Sequence, residues 1–145
     1  MTAITSDART RPDFSGVWQV NLEKSAFRGP APRSIVITID HRESAVTQIV
    51  LIVAADGREQ QLTYVFETSG RETTNQTAQG SLQCRAHWNE DEMVVESVLT
   101  TPGRCFHFSD HWSLSGDGRT LQMAHLDDDL AGQVVILEKA GVPQR

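Results

Sequence analysis

An all-β fold, a single antiparallel up-and-down barrel of eight to ten strands, is what the sequence predicts. Three observations carry this expectation. Helical periodicity is almost absent, while short runs rich in Val, Ile, Thr, Phe and Trp recur along the chain. A turn signal closes each run. Registers chosen from turn chemistry alone gather the apolar residues of consecutive strands onto one face, and closing such a sheet removes its exposed edges.

The strands are expected at 15–21, 34–41, 45–55 and 58–68, with a short one near 71–76. Five more follow at 80–89, 92–101, 104–115, 120–127 and 132–139. The breaks are Asp56-Gly57, Ser69-Gly70, Glu90-Asp91, Pro102-Gly103 and Gly116-Asp117-Gly118. Asp-Gly between alternating runs is a strong short-range hairpin signal. The stretch from Asn21 to Ser34 contains Pro30 and Pro32 and is too long for a hairpin. It is read as a loop or a single helical turn near one mouth of the barrel. Residues 1–13 form a flexible arm, 14–140 the barrel domain and 141–145 a tail.

Hairpin turns fix register. A two-residue turn at Glu90-Asp91 sets Trp88 opposite Met93, Ala86 opposite Val95 and Cys84 opposite Ser97. A turn at Pro102-Gly103 sets Met93 opposite Trp112, Val95 opposite Asp110, Ser97 opposite Phe108 and Leu99 opposite Phe106. A loop over 116–119 sets Trp112 opposite Met123, Leu114 opposite Leu121 and Asp110 opposite His125. These choices place Leu82, Ala86, Trp88, Val95, Phe108, Trp112 and their apolar neighbours on one face, and turn and pattern agree. Gln83, Arg85, His87, Glu96, His107, Ser109, His111 and Ser113 fall on the other face, read as solvated. A two-residue turn at Asp56-Gly57 pairs Leu51 with Leu62, Ile49 with Tyr64 and Thr47 with Phe66. Ile35, Ile37, Ile39 and His41 share one side of their strand.

The 145 residues fit one domain, 39% hydrophobic and 22% charged. With 13 basic against 19 acidic residues, the net charge is -6, which argues against a nucleic-acid partner. No polybasic run invites an anionic membrane, and no stretch approaches the ~18 apolar residues of a membrane-spanning helix. Met1 to Asp13 lacks the apolar core of a secretory signal, so the default compartment is the cytoplasm. Two cysteines make neither a disulfide framework nor a zinc module.

Gly16-Val17-Trp18 is similar to the G-x-W motif of lipocalins. Phe14-Ser15-Gly16 with Trp18, Asn21, Lys24 and Ser25 resembles the opening of small bacterial lipocalin-like proteins. Their later Trp-x-Leu hairpin has a counterpart in Trp112, Leu114, Ser115, Asp117, Gly118, Thr120 and Leu121. The resemblance runs from Asp13 to Lys139. It departs from lipocalins proper in two places: there is no clear T-D-Y motif, and no arginine in the last strand covers the first tryptophan, Lys139 being the only cation there. The resemblance implies a lipocalin-like, calycin-type barrel with a small-molecule cavity. It names no ligand or activity, because this architecture hosts both carriers and enzymes.

Asp110 and His125 are the most informative candidates, since both are polar residues on an apolar face. A carboxylate there needs a partner, and directly opposed residues have Cβ atoms about 4.5–5.5 Å apart, within reach of a carboxylate–imidazole bond. An Asp that orients a His suits a general base, an anchor for a ligand, or a structural polar pair. Asp127 lies further along the same face, opposite Phe108. Tyr64 either donates its hydroxyl to a carbonyl or developing oxyanion, or is a core residue with a satisfied hydroxyl. His41 ends its strand and is read as a solvent-exposed turn histidine, with a place in the site as the alternative. Cys84 has no histidine beside it and reads as a buried apolar cysteine; parity places Cys84 and Cys105 on opposite faces, against a disulfide.

The histidines do not make a metal site. His107 and His111 are ~13 Å apart along a strand, and His87 and His111 about 9–10 Å apart across two spacings. Asp127-Asp128-Asp129 reads as a solvated turn. No phosphate loop, nucleophile elbow or dinucleotide fingerprint occurs. The expected function is a small enzyme doing cofactor-free acid–base chemistry, of isomerase, cyclase or lyase/hydratase type, on a hydrophobic aromatic or polycyclic substrate. His125 would be the base or acid, Asp110 its orienter and Tyr64 a donor. Trp88, Trp112, Phe108, Met93, Phe66, Cys84 and His41 would bind the substrate. The alternative is a non-catalytic carrier of a hydrophobic small molecule, and a third option is a filled barrel that binds proteins. A second copy of the chain is a candidate partner.

Overall fold

The computed structural model describes residues 11–27, 29–127 and 132–140. Among the described residues ten strands run β1 (Gly16–Val20), β2 (Ser34–Arg42), β3 (Ala45–Val53), β4 (Glu59–Glu67), β5 (Thr73–Gln76), β6 (Ser81–Asn89), β7 (Glu92–Thr101), β8 (Arg104–Leu114), β9 (Thr120–Asp127) and β10 (Gly132–Lys139). Their order in the sheet is β4-β3-β2-β1-β10-β9-β8-β7-β6-β5. Each strand is antiparallel to its sequence neighbour except across β4 and β5. Pairing of β1 with both β2 and β10 wraps the sheet into an up-and-down barrel. No helix among the described residues is long and apolar enough to cross a membrane. Residues 1–10 of the arm expected over 1–13, the tail over 141–145 and the acidic residues Asp128 and Asp129 lie outside the described residues.

The seam between β4 and β5 has no strand ladder, and a side chain stitches it. The Val65 N–H donates to Asn75 Oδ1 (2.9 Å), and Asn75 Nδ2 donates to the Val65 carbonyl (3.1 Å). A carboxamide offers the same donor and acceptor as a peptide group, so the buried Asn75 stands in for one rung of the missing ladder.

The registers of β6 to β9 match the turn chemistry throughout: Trp88 pairs with Met93, Val95 with Asp110, Asp110 with His125 and Trp112 with Met123. The β3–β4 register differs from expectation by one residue. Val50, not Leu51, pairs with Leu62; Gln48 pairs with Tyr64, and Val46 with Phe66. The cause is the turn. The Ala54 N–H donates to the Arg58 carbonyl (2.8 Å) and the Gly57 N–H to the Ala54 carbonyl (2.9 Å), with Gly57 at φ 91°. This is a three-residue connection ending on a left-handed glycine, rather than a two-residue turn. Its consequence is a reversal of faces on β3: Ile49 and Leu51 lie outside, while Val46, Gln48 and Val50 are buried.

One end of the barrel is filled by aromatic rings. Phe14, Trp18 and Trp112 are essentially inaccessible to water. Phe14 meets Trp112 edge-on at 5.5 Å and stacks on Trp88 at 5.9 Å. Trp18 Nε1 donates to the Phe14 carbonyl (2.9 Å), and Lys139 Nζ sits 5.5 Å from the Trp18 ring. The cation over the first tryptophan is therefore supplied by Lys139. Gly16, at φ 141°, allows this approach, since a Cβ there would stand 2.9 Å from Lys139 Cε.

His41 belongs to this closed end and is buried, not a solvent-exposed turn histidine. β2 continues past it to Arg42, and Phe14 folds over it. The Phe14 N–H donates to His41 Nδ1 (3.2 Å), so that nitrogen carries no proton and Nε2 donates to Glu43 Oε1 (2.8 Å). Glu43 also accepts from Thr68 Oγ1 (2.6 Å) and Trp88 Nε1 (2.9 Å).

Candidate functional site

Above the aromatic floor lies a cavity of about 350 Å³. β2 supplies Ile35 and Ile37, β3 Val50 and Ile52, and β4 Leu62 and Phe66. β7 to β10 complete the wall with Val95, Phe108, Trp112, Met123 and Val135. These positions follow from period-two alternation once the registers are set. A half-enclosed apolar space of this size is in the range used for small ligands. Three outer depressions share wall residues with it, one of them, beside Glu72 and Arg85, through Ser97 and Phe108. A second, beside Phe27, Pro30 and Pro32, shares Ile35, Ile52 and Gln133, and a third, beside Arg104 and Phe106, shares Phe108 and His125. The 21–34 segment thus lies at the mouth, and it runs without a helix through its described residues.

Asp110 and His125 meet in the cavity wall. His125 Nδ1 is 2.8 Å from Asp110 Oδ1, and the two side chains are 31% and 28% exposed. An ionised carboxylate only accepts, so Nδ1 carries the proton and, in the neutral ring, Nε2 is an acceptor. The Phe108 ring packs 5.0 Å from the imidazole, which limits how it can turn. The arrangement can orient a proton acceptor beside an apolar ligand, or hold the ligand's polar group.

Tyr64 lines the same cavity and stacks on Phe66 at 6.3 Å. Its hydroxyl is held above the usual tyrosine range, first by burial and then by the negative charge of Asp110. Its neighbour in the wall, Gln48, is buried and directly opposite it on β3. Sequence reasoning missed Gln48, because the expected turn at Asp56-Gly57 put Ile49 there. The hydrogen-bonded closure between Ala54 and Arg58 is the signal that would have found it.

Of the residues expected to contact a ligand, the structure brings Asp110, His125, Tyr64, Trp112, Phe108 and Phe66 together. Four others lie elsewhere. Trp88 and His41 pack with Phe14 at the closed end, and Met93 is wholly buried in the same floor. Cys84 is buried behind the wall, where Ser97 Oγ (3.6 Å) and Asn75 Nδ2 (3.7 Å) approach its sulfur. Burial raises the Cys84 thiol, and the nearby Asp110 charge adds to this against the two hydrogen bonds. It is a protonated thiol rather than a nucleophile. Cys105 is exposed, and both cysteines are free. Among the described residues, no group of three or more His, Cys, Asp or Glu is placed to hold a metal ion.

No protein-family profile and no curated protein matches this sequence. Solved structures do match its fold. Secretory abundant heat soluble protein 4 from Ramazzottius varieornatus is 13% identical at a TM-score of 0.64, with 90% of this chain and 97% of that chain covered. Fatty-acid-binding protein 1 of Echinococcus granulosus is 10% identical at a TM-score of 0.61, covering 88% of this chain and 98% of that one. Lipid binding protein 8 of Caenorhabditis elegans, in its apo form, is 7% identical at a TM-score of 0.60, covering 87% and 94%. At these identities the likeness is one of architecture: the chain shares the up-and-down, calycin-type β-barrel of these proteins.

Proposed function

We propose that this protein binds a hydrophobic small molecule inside the barrel, with polar side chains of the cavity wall, the Asp110–His125 pair among them, holding a polar group of the ligand. The observation that carries this reading is the cavity of about 350 Å³, apolar over most of its wall and interrupted by few polar side chains. The fold neighbours named as fatty-acid-binding and lipid-binding proteins support it. It replaces catalysis as the first reading, because binding requires only the cavity and the anchor.

Acid–base catalysis is the second reading, and one observation favours it: the 2.8 Å contact between His125 and Asp110 at the cavity wall. The test uses His125→Gln and Asp110→Asn with an apolar fluorescent probe and, separately, candidate substrates. Binding predicts that the wild type takes up the probe at one site per chain, that both variants weaken ligands bearing a polar group, and that no substrate turns over. Turnover by the wild type that is lost in His125→Gln, with ligand affinity kept, would establish catalysis instead.

A further inference from the structure

We infer that Gln48 and Tyr64 form a second polar station in the cavity, and that together with Asp110 they select an uncharged ligand carrying a hydroxyl group rather than a carboxylate. This inference rests on the binding reading above and gives it a ligand class.

Gln48 is 8% exposed, lines the cavity, and has no side-chain hydrogen bond among the described residues. The Tyr64 hydroxyl, on the facing residue of β4, has none there either. Buried polar groups in folded proteins are almost always satisfied, by protein, water or ligand. A carboxamide both donates and accepts, and so does a phenol. Their natural complement is a group that also does both, which is a hydroxyl.

The opposite wall fixes the charge. Asp110 already places a carboxylate in the cavity, and its hydrogen-bond partner His125 is engaged with it at 2.8 Å. A second carboxylate entering this apolar space would be desolvated and would face a like charge. It would also bring no proton for Asp110 or His125 to accept. A ligand hydroxyl escapes each of these costs. A half-enclosed cavity of about 350 Å³ is in the range used for small ligands. A bicyclic aromatic alcohol falls within that range.

Calorimetric titration with naphthalene, naphthol and naphthoate at neutral pH tests this, since the three share a skeleton and differ only in the polar group. Naphthol is expected to bind about tenfold more tightly than either of the others, the worth of one well-made buried hydrogen bond. Gln48→Leu and Tyr64→Phe are each expected to weaken naphthol several-fold and to leave naphthalene unchanged. Naphthoate binding as tightly as naphthol, or naphthol affinity unchanged in both variants, would overturn the inference while the binding reading stands. Uptake of none of the three by the wild type would overturn the binding reading itself, and this inference with it.

Discussion

Trp88 Nε1 donates to Glu43 Oε2 at 2.9 Å across the closed end of the barrel. The bond ties β6 to the β2–β3 turn, elements that are far apart in the sheet order. Burial pushes the Glu43 carboxyl up, but hydrogen bonds from Thr68, Trp88 and His41, with the electrostatic attraction of the His41 ring, outweigh this and hold it below its ordinary 4.5. A depressed folded value means that the stabilisation is complete above the unfolded value and is lost as pH falls through the folded one. Urea denaturation as a function of pH should therefore show the wild type losing stability below about pH 4.5, more steeply than Glu43→Gln. Half the Glu43 side chain is in water, so the difference at neutral pH should be modest, roughly 1 kcal/mol.

The Asn75 stitch is a buried side chain holding two backbone groups. Asn75→Ala should cost about 1–3 kcal/mol, because it strands the Val65 N–H and carbonyl at the seam. Hydrogen exchange is the sharper readout: the Val65 amide should lose protection in the variant while the β7–β8 amides keep theirs. Equal protection at Val65 in both proteins would mean that Asn75 does not hold the seam.

Gly16→Ala should destabilise the barrel by roughly 1–3 kcal/mol, from the strained φ and the contact with Lys139. Lys139→Ala removes the obstructing stem and the cation over Trp18 together. The double variant should therefore be more stable than the sum of the two single losses implies, a coupling that a double-mutant cycle on thermal unfolding would detect.

The thiols should differ in reactivity. Cys105 is exposed, whereas Cys84 is buried and its thiol is raised above the ordinary value. Alkylation of the native protein, followed by mass spectrometry, should label Cys105 first and Cys84 only on unfolding.

Much of this barrel was legible in the sequence because most of its turns are chemically decisive. Glu90-Asp91 and Pro102-Gly103 each admit one short closure, and the alternation of β6 to β9 agrees with it. That agreement by itself sets Asp110 opposite His125. The β3–β4 hairpin was different. Asp56-Gly57 fits a two-residue or a three-residue connection, and β3 is apolar at Ile49 and Leu51 as well as at Val50 and Ile52. With hydrophobes on both faces, alternation could not correct a slip of one residue. Gln48 was lost for that reason. Trp88, Met93 and His41 were lost for another: strand parity gives the face of a residue but not its depth along the barrel axis. Whether an inward side chain fills the floor or lines the cavity depends on how Phe14 folds over that end.

Ligand titration of a cavity-filled variant and its neighbour tests the central claim most directly. Val50 faces the cavity, and Leu51, one residue on, faces outward. Val50→Phe should weaken binding of an apolar probe such as naphthol at least about tenfold, because the ring occupies the ligand's volume. Leu51→Phe should bind it like the wild type. Wild-type affinity in Val50→Phe, or weakening by Leu51→Phe alone, would place the ligand outside the barrel and contradict the account.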